Sequence, residues 1–401
     1  MCDDKYVTGV VKLLFVAALL FVLSTAPASA EVYGIKSKDP TSSPPTHLFK
    51  FEEDGSGLTD LGPVTVGGSD VDLDGLAYSP VHGLLAYHML AGSSQLISLT
   101  TSPPVGTPIG SPLAGREIRG ALFDFDDRLL VIDCANDELV EIDPATGAEI
   151  GMAIPLTEDG APHDLRDISD IALRGDGTFY IASYAGSTNG QIYELDRSTG
   201  RMVLSHSLGS DYLAGITFSS DSMGNDQLIS YDVKSDDDLY FLETDNSFSK
   251  TMLYSNFLPQ FNAGRGDLAA LIEPAPLRAD STFLEAQGDT IDFTIEPGAS
   301  FAGRNYLLVA SLSGTDPGTL LPGGLVTIPL NRDWLTDFIL QRLNNSVFTG
   351  FWGVIDANGL AGARLNAPPI PNLTGEVIHF AYAINNPWDF ASNAVAIEVV
   401  P

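Results

Sequence analysis

A repeat of about fifty residues constrains the fold of residues 31–275 more than any other feature of this chain. Each copy contains short apolar strands separated by turns, and one landmark strand can be followed from copy to copy. This strand starts at Leu48, Leu96, Leu139, Ile192 and Leu239, which gives intervals of 48, 43, 53 and 47 residues. The turns combine Asp or Ser with Gly, residues that tolerate positive φ. Four short strands in each copy at this spacing predict the blades of a β-propeller.

The fifth copy of the repeat is split between the two ends of the repeat region. Its first strand lies near Leu268, whereas its other strands lie in residues 31–68, beginning with the segment EVYGIK. We therefore expect the N-terminal strands to pair with the last strand of the array and close a ring of five blades. Closure would remove the exposed strand edges that an open array presents. A sixth, irregular blade is the alternative.

The repeat stops after Glu273, and a different pattern of strands begins. Residues 276–401 contain about seven apolar strands with Gly and Pro turns, which is typical of a β-sandwich. The segment Arg332–Ser346 is the exception, because its apolar residues are spaced as in a short amphipathic helix. The expected fold class is thus all-β, with a five-bladed propeller over residues 31–275 and a β-sandwich over residues 276–401.

Several motifs of the C-terminal region resemble a module found at the end of many exported bacterial proteins. They are SLSGTDPGTLLPGG, IPLNRDWLTD, FTGFWGVIDANGLAGARLNAP and the closing FASNAVAIEVVP. The resemblance implies an accessory sandwich without assigned catalytic residues. The repeat region is similar to propellers of exported bacterial proteins, and loosely to NHL-like and lactonase-like propellers. That second likeness transfers no activity, because many unrelated functions share the blade pattern.

Residues 1–30 have the pattern of a secretory signal peptide. Lys5 and Lys12 flank the start of an apolar core, LLFVAALLFVLS, and the small-residue sequence APASA ends at Ala30. The apolar run is shorter than the roughly 20 residues that span a membrane, so we expect cleavage after Ala30 and no remaining anchor. An uncleaved anchor is the alternative. We expect a protein secreted to the periplasm or outside the cell, in which Cys134 is the remaining cysteine.

The formal charge of −32 limits the classes of partner. Such a field repels nucleic acids and anionic membranes, and it favours solubility, cation binding or a saline environment. The sequence predicts no nucleic-acid partner. A glycan, another protein or a small molecule remains open as the ligand.

Acidic residues gather where the innermost strands of the predicted blades begin. We expect Asp70, Asp72 and Asp74 to alternate on one face of an extended segment, and other blades supply further carboxylates. Such a ring could hold Ca²⁺, which prefers six or more oxygen ligands. The candidate metal ligands are Asp70, Asp72, Asp74, Glu117, Asp167, Asp170 and Asp267. The alternative is pairing with the arginines interleaved among them, Arg119, Arg166 and Arg265.

His163 is a weak candidate for a general base, because Asp164 and Asp167 lie close to it in sequence. Its alternative role is that of an ordinary loop residue. The chain has no G-x-S-x-G, H-E-x-x-H or phosphate-binding glycine motif. We therefore favour an exported, non-catalytic binding or scaffold protein that uses the propeller face or channel mouth. A calcium-dependent ester or lactone hydrolase and a surface-layer component are the alternatives.

Overall fold

Strands make up nearly all the regular structure in the computed structural model of this chain. The residues it describes are 31–37, 45–158, 160–165, 169–185, 189–208, 213–220, 226–232, 238–243, 249–255, 265–271 and 275–401. The predicted signal peptide (residues 1–30), Asp167 and Arg166 lie outside them. None of the helices in the described ranges has both the length and the apolar character needed to cross a membrane.

Five sheets follow the sequence repeat, and each has one innermost strand. Their strand pairs are antiparallel, except that Thr65–Val66 lies parallel to Pro104–Pro108 and Thr157–Glu158 lies parallel to Arg201–Ser207. From the innermost strand outwards, sheet 1 contains Leu73–Ser79, Gly83–Leu90, Ser93–Thr101, Pro104–Pro108, Thr65–Val66 and Ser69–Asp70, with Leu113–Ala114 beside Ser93–Thr101. In the same order, sheet 2 contains Ile118–Phe123, Leu129–Asp133, Glu138–Ile142 and Glu149–Pro155. Sheet 3 contains Ser169–Leu173, Phe179–Ala185, Asn189–Asp196, Arg201–Ser207, Thr157–Glu158 and Ala161–Pro162. Sheet 4 contains Leu213–Ser220, Asp226–Asp232, Leu239–Leu242 and Lys250–Tyr254. Sheet 5 contains Arg265–Ala269, Glu31–Ser37, His47–Glu52 and Thr59–Pro63.

Sheet 5 joins the two ends of the repeat region. Glu31–Ser37 lies antiparallel to Arg265–Ala269, with Ile35 opposite Asp267, and it also pairs with His47–Glu52. The pairing predicted from the split fifth repeat is therefore confirmed. The N-terminal strand is held by backbone hydrogen bonds on both sides, so neither of its edges is exposed.

The apolar side chains of these sheets form five separate clusters, each shared by two consecutive sheets. Ala77 and Val131, for example, belong to the cluster between sheets 1 and 2, and Ile35 and Leu73 to the one between sheets 5 and 1. The other clusters join sheets 2 and 3, sheets 3 and 4, and sheets 4 and 5. The five innermost strands also contact one another in cyclic order. Sheets with this face-to-face arrangement resemble propeller blades.

Two further sheets are built from the C-terminal part of the chain. Sheet 6 contains Leu277–Ala279, Asp289–Ile295, Ala361–Ala367 and Phe348–Thr349 in spatial order. Sheet 7 contains Phe283–Glu285, Val395–Val400, Val377–Ile384, Asn305–Ser311 and Trp352–Val354, with Phe390–Ala391 beside Val377–Ile384. A two-stranded ribbon joins Thr319–Leu320 to Thr327–Ile328, and 3₁₀ turns cover Ala299–Phe301 and Pro371–Leu373. Side chains of both sheets, including Phe293 and Phe380, share one hydrophobic core.

One α-helix, Trp334–Leu340, lies within the segment for which the sequence predicted a helix, and it is shorter than that segment. Asp333 begins it, because its carboxylate accepts the backbone N–H groups of Leu335 and Thr336 at 2.9 and 3.1 Å. This N-cap supplies partners for backbone donors that the helix itself cannot satisfy. Thr336 donates its hydroxyl to the Ala310 carbonyl at 2.7 Å, which ties the helix to sheet 7.

Candidate functional site

The innermost strands place four ionisable residues at their N-terminal ends, where the sequence predicted a ring of acids. Asp74, Arg119, Asp170 and Asp267 stand near the start of the innermost strands of sheets 1, 2, 3 and 5. The strand of sheet 4 has Ala214 there. Irregular register follows Asp74, and also interrupts the strands of sheets 2 and 4 near the same position. We call Asp74, Glu117, Arg119, Asp170 and Asp267 the central cluster.

Arg119 is the cation of the central cluster, and it bridges two sheets. Its guanidinium forms ion pairs with Asp74 of sheet 1 and with Glu117, which precedes its own strand. Asp74 is only 3% exposed and Arg119 only 6%. Burial by itself would lower the pKa of Arg119, but the charges of Asp74 and Glu117 outweigh burial and raise it. Arg119 therefore stays charged, and it is the partner of both carboxylates.

Asp170 and Asp267 form the second half of the central cluster, and both are fully buried. Their carboxyl groups hydrogen-bond to each other. Burial raises the pKa of Asp170 to about 7. Burial, followed by the charge of Asp170, raises the pKa of Asp267 well above its ordinary value. Two carboxyl groups in such contact cannot both ionise readily, so they share a proton.

The same two carboxyl groups also tie neighbouring sheets together through backbone hydrogen bonds. Asp170 of sheet 3 accepts the N–H of Ile216 in sheet 4 at 2.6 Å. Asp267 of sheet 5 accepts the N–H of Leu76 in sheet 1 at 2.5 Å. Each aspartate thus links its own sheet to the next one in the cyclic order. One of these links spans the point at which the first and last repeats meet.

Gly120 makes room for this arrangement. A Cβ atom at Gly120 would lie 2.7 Å from both the Cα and the Oδ1 of Asp170. Side-chain carbons do not approach other atoms so closely, so a larger residue would push Asp170 away. The need for a small residue at this position could have been predicted from the sequence, because Gly75 and Gly215 occupy similar positions in the innermost strands of sheets 1 and 4.

The three alternating aspartates of the predicted calcium site do not share one strand face. Asp70 is exposed on a two-residue strand that pairs with Thr65–Val66, Asp72 is half-buried outside any strand, and Asp74 is buried. Among the residues that the structure describes, no group of three or more His, Cys, Asp or Glu side chains is placed to hold a metal ion. Pairing with an arginine, the alternative interpretation, accounts for Asp74 and Glu117. Asp167 and Arg166 lie outside the described residues, as does the side chain of Arg265.

His163 has an acidic partner other than the two expected from its neighbours in sequence. Its Nδ1 lies 3.0 Å from Oε2 of Glu158, across the small hairpin formed by Thr157–Glu158 and Ala161–Pro162. The ring is 6% exposed and meets the ring of Tyr193 edge-on, with centroids 5.0 Å apart. Its Nε2 is buried and has no hydrogen-bond partner among the described residues. The sequence EDGA is typical of a tight turn, and such a turn could have been used to predict the contact between Glu158 and His163.

Farther along the innermost strands, apolar side chains narrow the centre of the ring. Residues of all five innermost strands and of their C-terminal ends enclose a void of about 20 Å³ there, among them Ala77, Ala121, Ala172, Thr217 and Ala269. A void of this size holds about one water molecule. This void therefore has no room for a ligand larger than water.

Comparison with known proteins finds structural likenesses at low sequence identity. No protein-family model matches the sequence, and no curated protein matches it either. A protein of unknown function from Bacteroides caccae aligns with 57% of this chain and 72% of its own, at 14% identity and a TM-score of 0.31. Virginiamycin B lyase from Staphylococcus aureus aligns with 57% of this chain and 71% of its own, at 14% identity and a TM-score of 0.30. A streptogramin B lyase aligns with 51% of this chain and 61% of its own, at 12% identity and a TM-score of 0.30.

These likenesses are too distant to carry an argument about chemistry or ligands. The resemblance of sheets 1–5 to propeller blades is seen in the chain's own four- to seven-stranded sheets.

Proposed function

We propose that sheets 1–5 form a five-bladed propeller closed by the N-terminal strands, and that sheets 6 and 7 form a β-sandwich over residues 276–401. Three observations support the propeller: the five apolar clusters between consecutive sheets, the cyclic contacts of the innermost strands, and the pairing of Glu31–Ser37 with Arg265–Ala269. The single core shared by sheets 6 and 7 supports the sandwich.

We further propose that the protein is an exported, non-catalytic binding or scaffold protein. The observation that carries this proposal is the internal pairing of the central cluster. Arg119 forms ion pairs with both Asp74 and Glu117, and Asp170 shares a proton with Asp267, so these groups hold one blade to the next. Their ionisable chemistry is used in building the ring, whereas catalysis needs groups that are free to meet a substrate.

The binding surface in this proposal is the face of the ring on which the innermost strands begin. Glu117 is partly exposed, and Asp70 and Asp164 are exposed and precede the innermost strands of sheets 1 and 3 in sequence. Together with the net charge of −32, they favour a basic protein segment or a neutral, hydroxyl-rich glycan over an anionic partner.

The test is a binding screen with the mature chain, residues 31–401, against glycan and protein arrays. We expect a saturable partner whose affinity falls when Asp70 and Asp164 are both changed to asparagine. Glu376→Gln is the matched control, because Glu376 is an exposed acid outside the propeller region. Absence of any saturable partner, or equal weakening by the control, would remove the support for this surface.

A hydrolase is the second candidate, because the contact between His163 and Glu158 resembles half of a catalytic acid–base pair. The test is turnover of a panel of esters and lactones by the wild-type chain and by His163→Gln, with and without a calcium chelator. A turnover that His163→Gln abolishes while leaving the thermal midpoint unchanged would favour the hydrolase over the binding protein. If wild type and His163→Gln give the same background, the hydrolase is excluded.

A further inference from the structure

An apolar cavity of about 220 Å³ lies in the C-terminal part of the chain, bounded by both sheets and by the helix Trp334–Leu340. Leu365 of sheet 6 and Phe380 of sheet 7 form its walls, and Leu335 and Ile339 line it from the helix. Every residue that lines it is aliphatic, aromatic or proline. The cavity therefore offers no hydrogen-bonding wall that would stabilise enclosed water.

An apolar cavity of this size has room for a small apolar molecule. Wall atoms that face empty space lose dispersion contacts, and apolar cavities of roughly 150 Å³ in other proteins stay dry and take up benzene or xenon. A molecule with a ring or a short hydrocarbon chain would restore those contacts. It would also stabilise the folded state, because a ligand that binds only the folded protein shifts the unfolding equilibrium.

The cavity reaches solvent beside two aromatic residues of the helix. Trp334 and Phe338 both line the cavity, yet they are 60% and 36% exposed. Their rings meet edge-on at a centroid distance of 6.4 Å. Exposed aromatic side chains at the opening of an apolar cavity mark an access route for a ligand.

Arg342 stands at this opening and, among the described residues, has no carboxylate partner. Its guanidinium carbon lies 3.9 Å from the ring centroid of Phe338. Each of the other arginines in residues 276–401 forms an ion pair with an acid of the same region. These pairs are Arg278 with Glu296, Arg304 with Asp389, Arg332 with Asp337, and Arg364 with Asp292. In a chain of net charge −32, an arginine placed in this way beside an apolar opening is available to an external anion.

We propose that this cavity binds a small organic acid with an apolar tail. The tail would fill the cavity between the two sheets, and the carboxylate would remain at the opening and pair with Arg342. This site lies outside the propeller, so the inference does not depend on the function proposed for the central cluster.

The first test is calorimetric titration of the mature chain with octanoate and, separately, with the uncharged 1-octanol. We expect one saturable octanoate site per chain. Arg342→Gln should weaken octanoate binding about 3- to 10-fold, the effect of removing one charge-assisted contact, and should leave octanol binding unchanged. Arg332→Gln is the matched control. It also removes a positive charge next to the helix, but Arg332 already pairs with Asp337, so this variant should leave octanoate binding unchanged.

The second test fills the cavity. Ala310→Leu places a larger side chain in the wall formed by sheet 7, and Ala367→Leu does so at the half-buried C-terminal end of the strand Ala361–Ala367 in sheet 6. Either variant should reduce octanoate and octanol affinity by more than tenfold while the circular dichroism spectrum stays native. If Ala310→Leu does not fold, Ala367→Leu decides the question. Lack of saturable octanoate binding by the wild type, native affinity in a folded filled variant, or equal weakening by Arg342→Gln and Arg332→Gln would overturn the proposal.

Discussion

Asp170 and Asp267 hydrogen-bond to each other through fully buried carboxyl groups, although they belong to different repeats. Each of them also accepts a backbone N–H from the sheet that follows its own. Sharing one proton lets two acids serve as links in the interior of the ring. Ionisation of both would place two like charges in contact without solvent, so the protonation state of this pair affects the stability of the whole ring.

The first prediction concerns the pH dependence of stability. A carboxyl group whose pKa is raised by folding stabilises the native state fully below its unfolded pKa, roughly 4, and this contribution is lost as the pH rises through the folded pKa. For Asp170 the window therefore extends from that value to a pH of about 7. Within it we expect the free energy of unfolding of the wild type to fall by up to about 1.4 kcal/mol per pH unit per carboxyl group.

Asp267→Asn tests this prediction by thermal unfolding between pH 5 and pH 9. The amide can donate to Asp170 at every pH, so the variant should lose much of the wild-type decline in the unfolding midpoint. Glu376→Gln, which removes an exposed acid, is the control and should keep the wild-type slope. If the unfolding midpoint of Asp267→Asn falls with pH as steeply as that of the wild type, the shared proton is contradicted.

The second prediction concerns Arg119. Arg119→Gln should lower the free energy of unfolding by about 3–5 kcal/mol, because it leaves the buried carboxylate of Asp74 without a compensating charge. The double variant Asp74→Asn with Arg119→Gln should recover most of that loss, since it removes the uncompensated charge. Urea unfolding of the two single variants and of the double variant gives the coupling energy. Additive effects would show that Asp74 and Arg119 do not interact.

The third prediction concerns the space that Gly120 provides. Gly120→Ala should lower the free energy of unfolding by about 1–3 kcal/mol, because its Cβ would collide with Asp170 and force a backbone shift. Gly362→Ala is the control, because the only atom near its added Cβ lies 3.7 Å away. We expect the control to change stability by less than about 0.5 kcal/mol. Equal effects in urea unfolding would exclude close packing against Asp170 as the cause.

The fourth prediction concerns the N-cap of the helix. Asp333 accepts the N–H of Leu312 at 2.7 Å in addition to those of Leu335 and Thr336. Asp333→Ala should therefore cost about 2–4 kcal/mol, since it removes the cap and leaves backbone donors unsatisfied. Asp337→Asn, which removes an exposed ion pair with Arg332 and the acidic charge of the first helical turn, should cost less than about 1 kcal/mol. Urea unfolding followed by tryptophan fluorescence measures both, and a similar loss in the two variants would contradict the role of the cap.

The strands of the repeat and the helix near Trp334 could be predicted from the sequence, because both depend on local patterns. Alternating apolar residues and Asp–Gly turns specify short strands wherever they occur. The helix is shorter than its apolar pattern suggested. Its beginning at Asp333 follows from side-chain capping of the backbone, which the apolar spacing alone does not show.

The acidic ring was only partly predictable. The positions of Asp74, Asp170 and Asp267 in the repeat indicated that they would lie near the centre. The prediction that Asp70, Asp72 and Asp74 share one face of an extended segment was wrong. Asp70 belongs to a small hairpin with Thr65–Val66, because the chain turns between Val66 and Ser69 before the innermost strand begins. A turn of this kind resets the alternation on which the prediction depended.

By itself, the sequence determined the repeat, its main strands and the pairing of Glu31–Ser37 with Arg265–Ala269, because these follow from local periodicity and from the need to pair strand edges. Only the tertiary structure decided which ionisable side chains contact each other: Asp74 with Arg119, Asp170 with Asp267, and His163 with Glu158. The tertiary structure alone also created the cavity beside Arg342. Such contacts join segments that are distant in the chain or folded back by a turn. They depend on how whole sheets pack, and no local pattern records that packing.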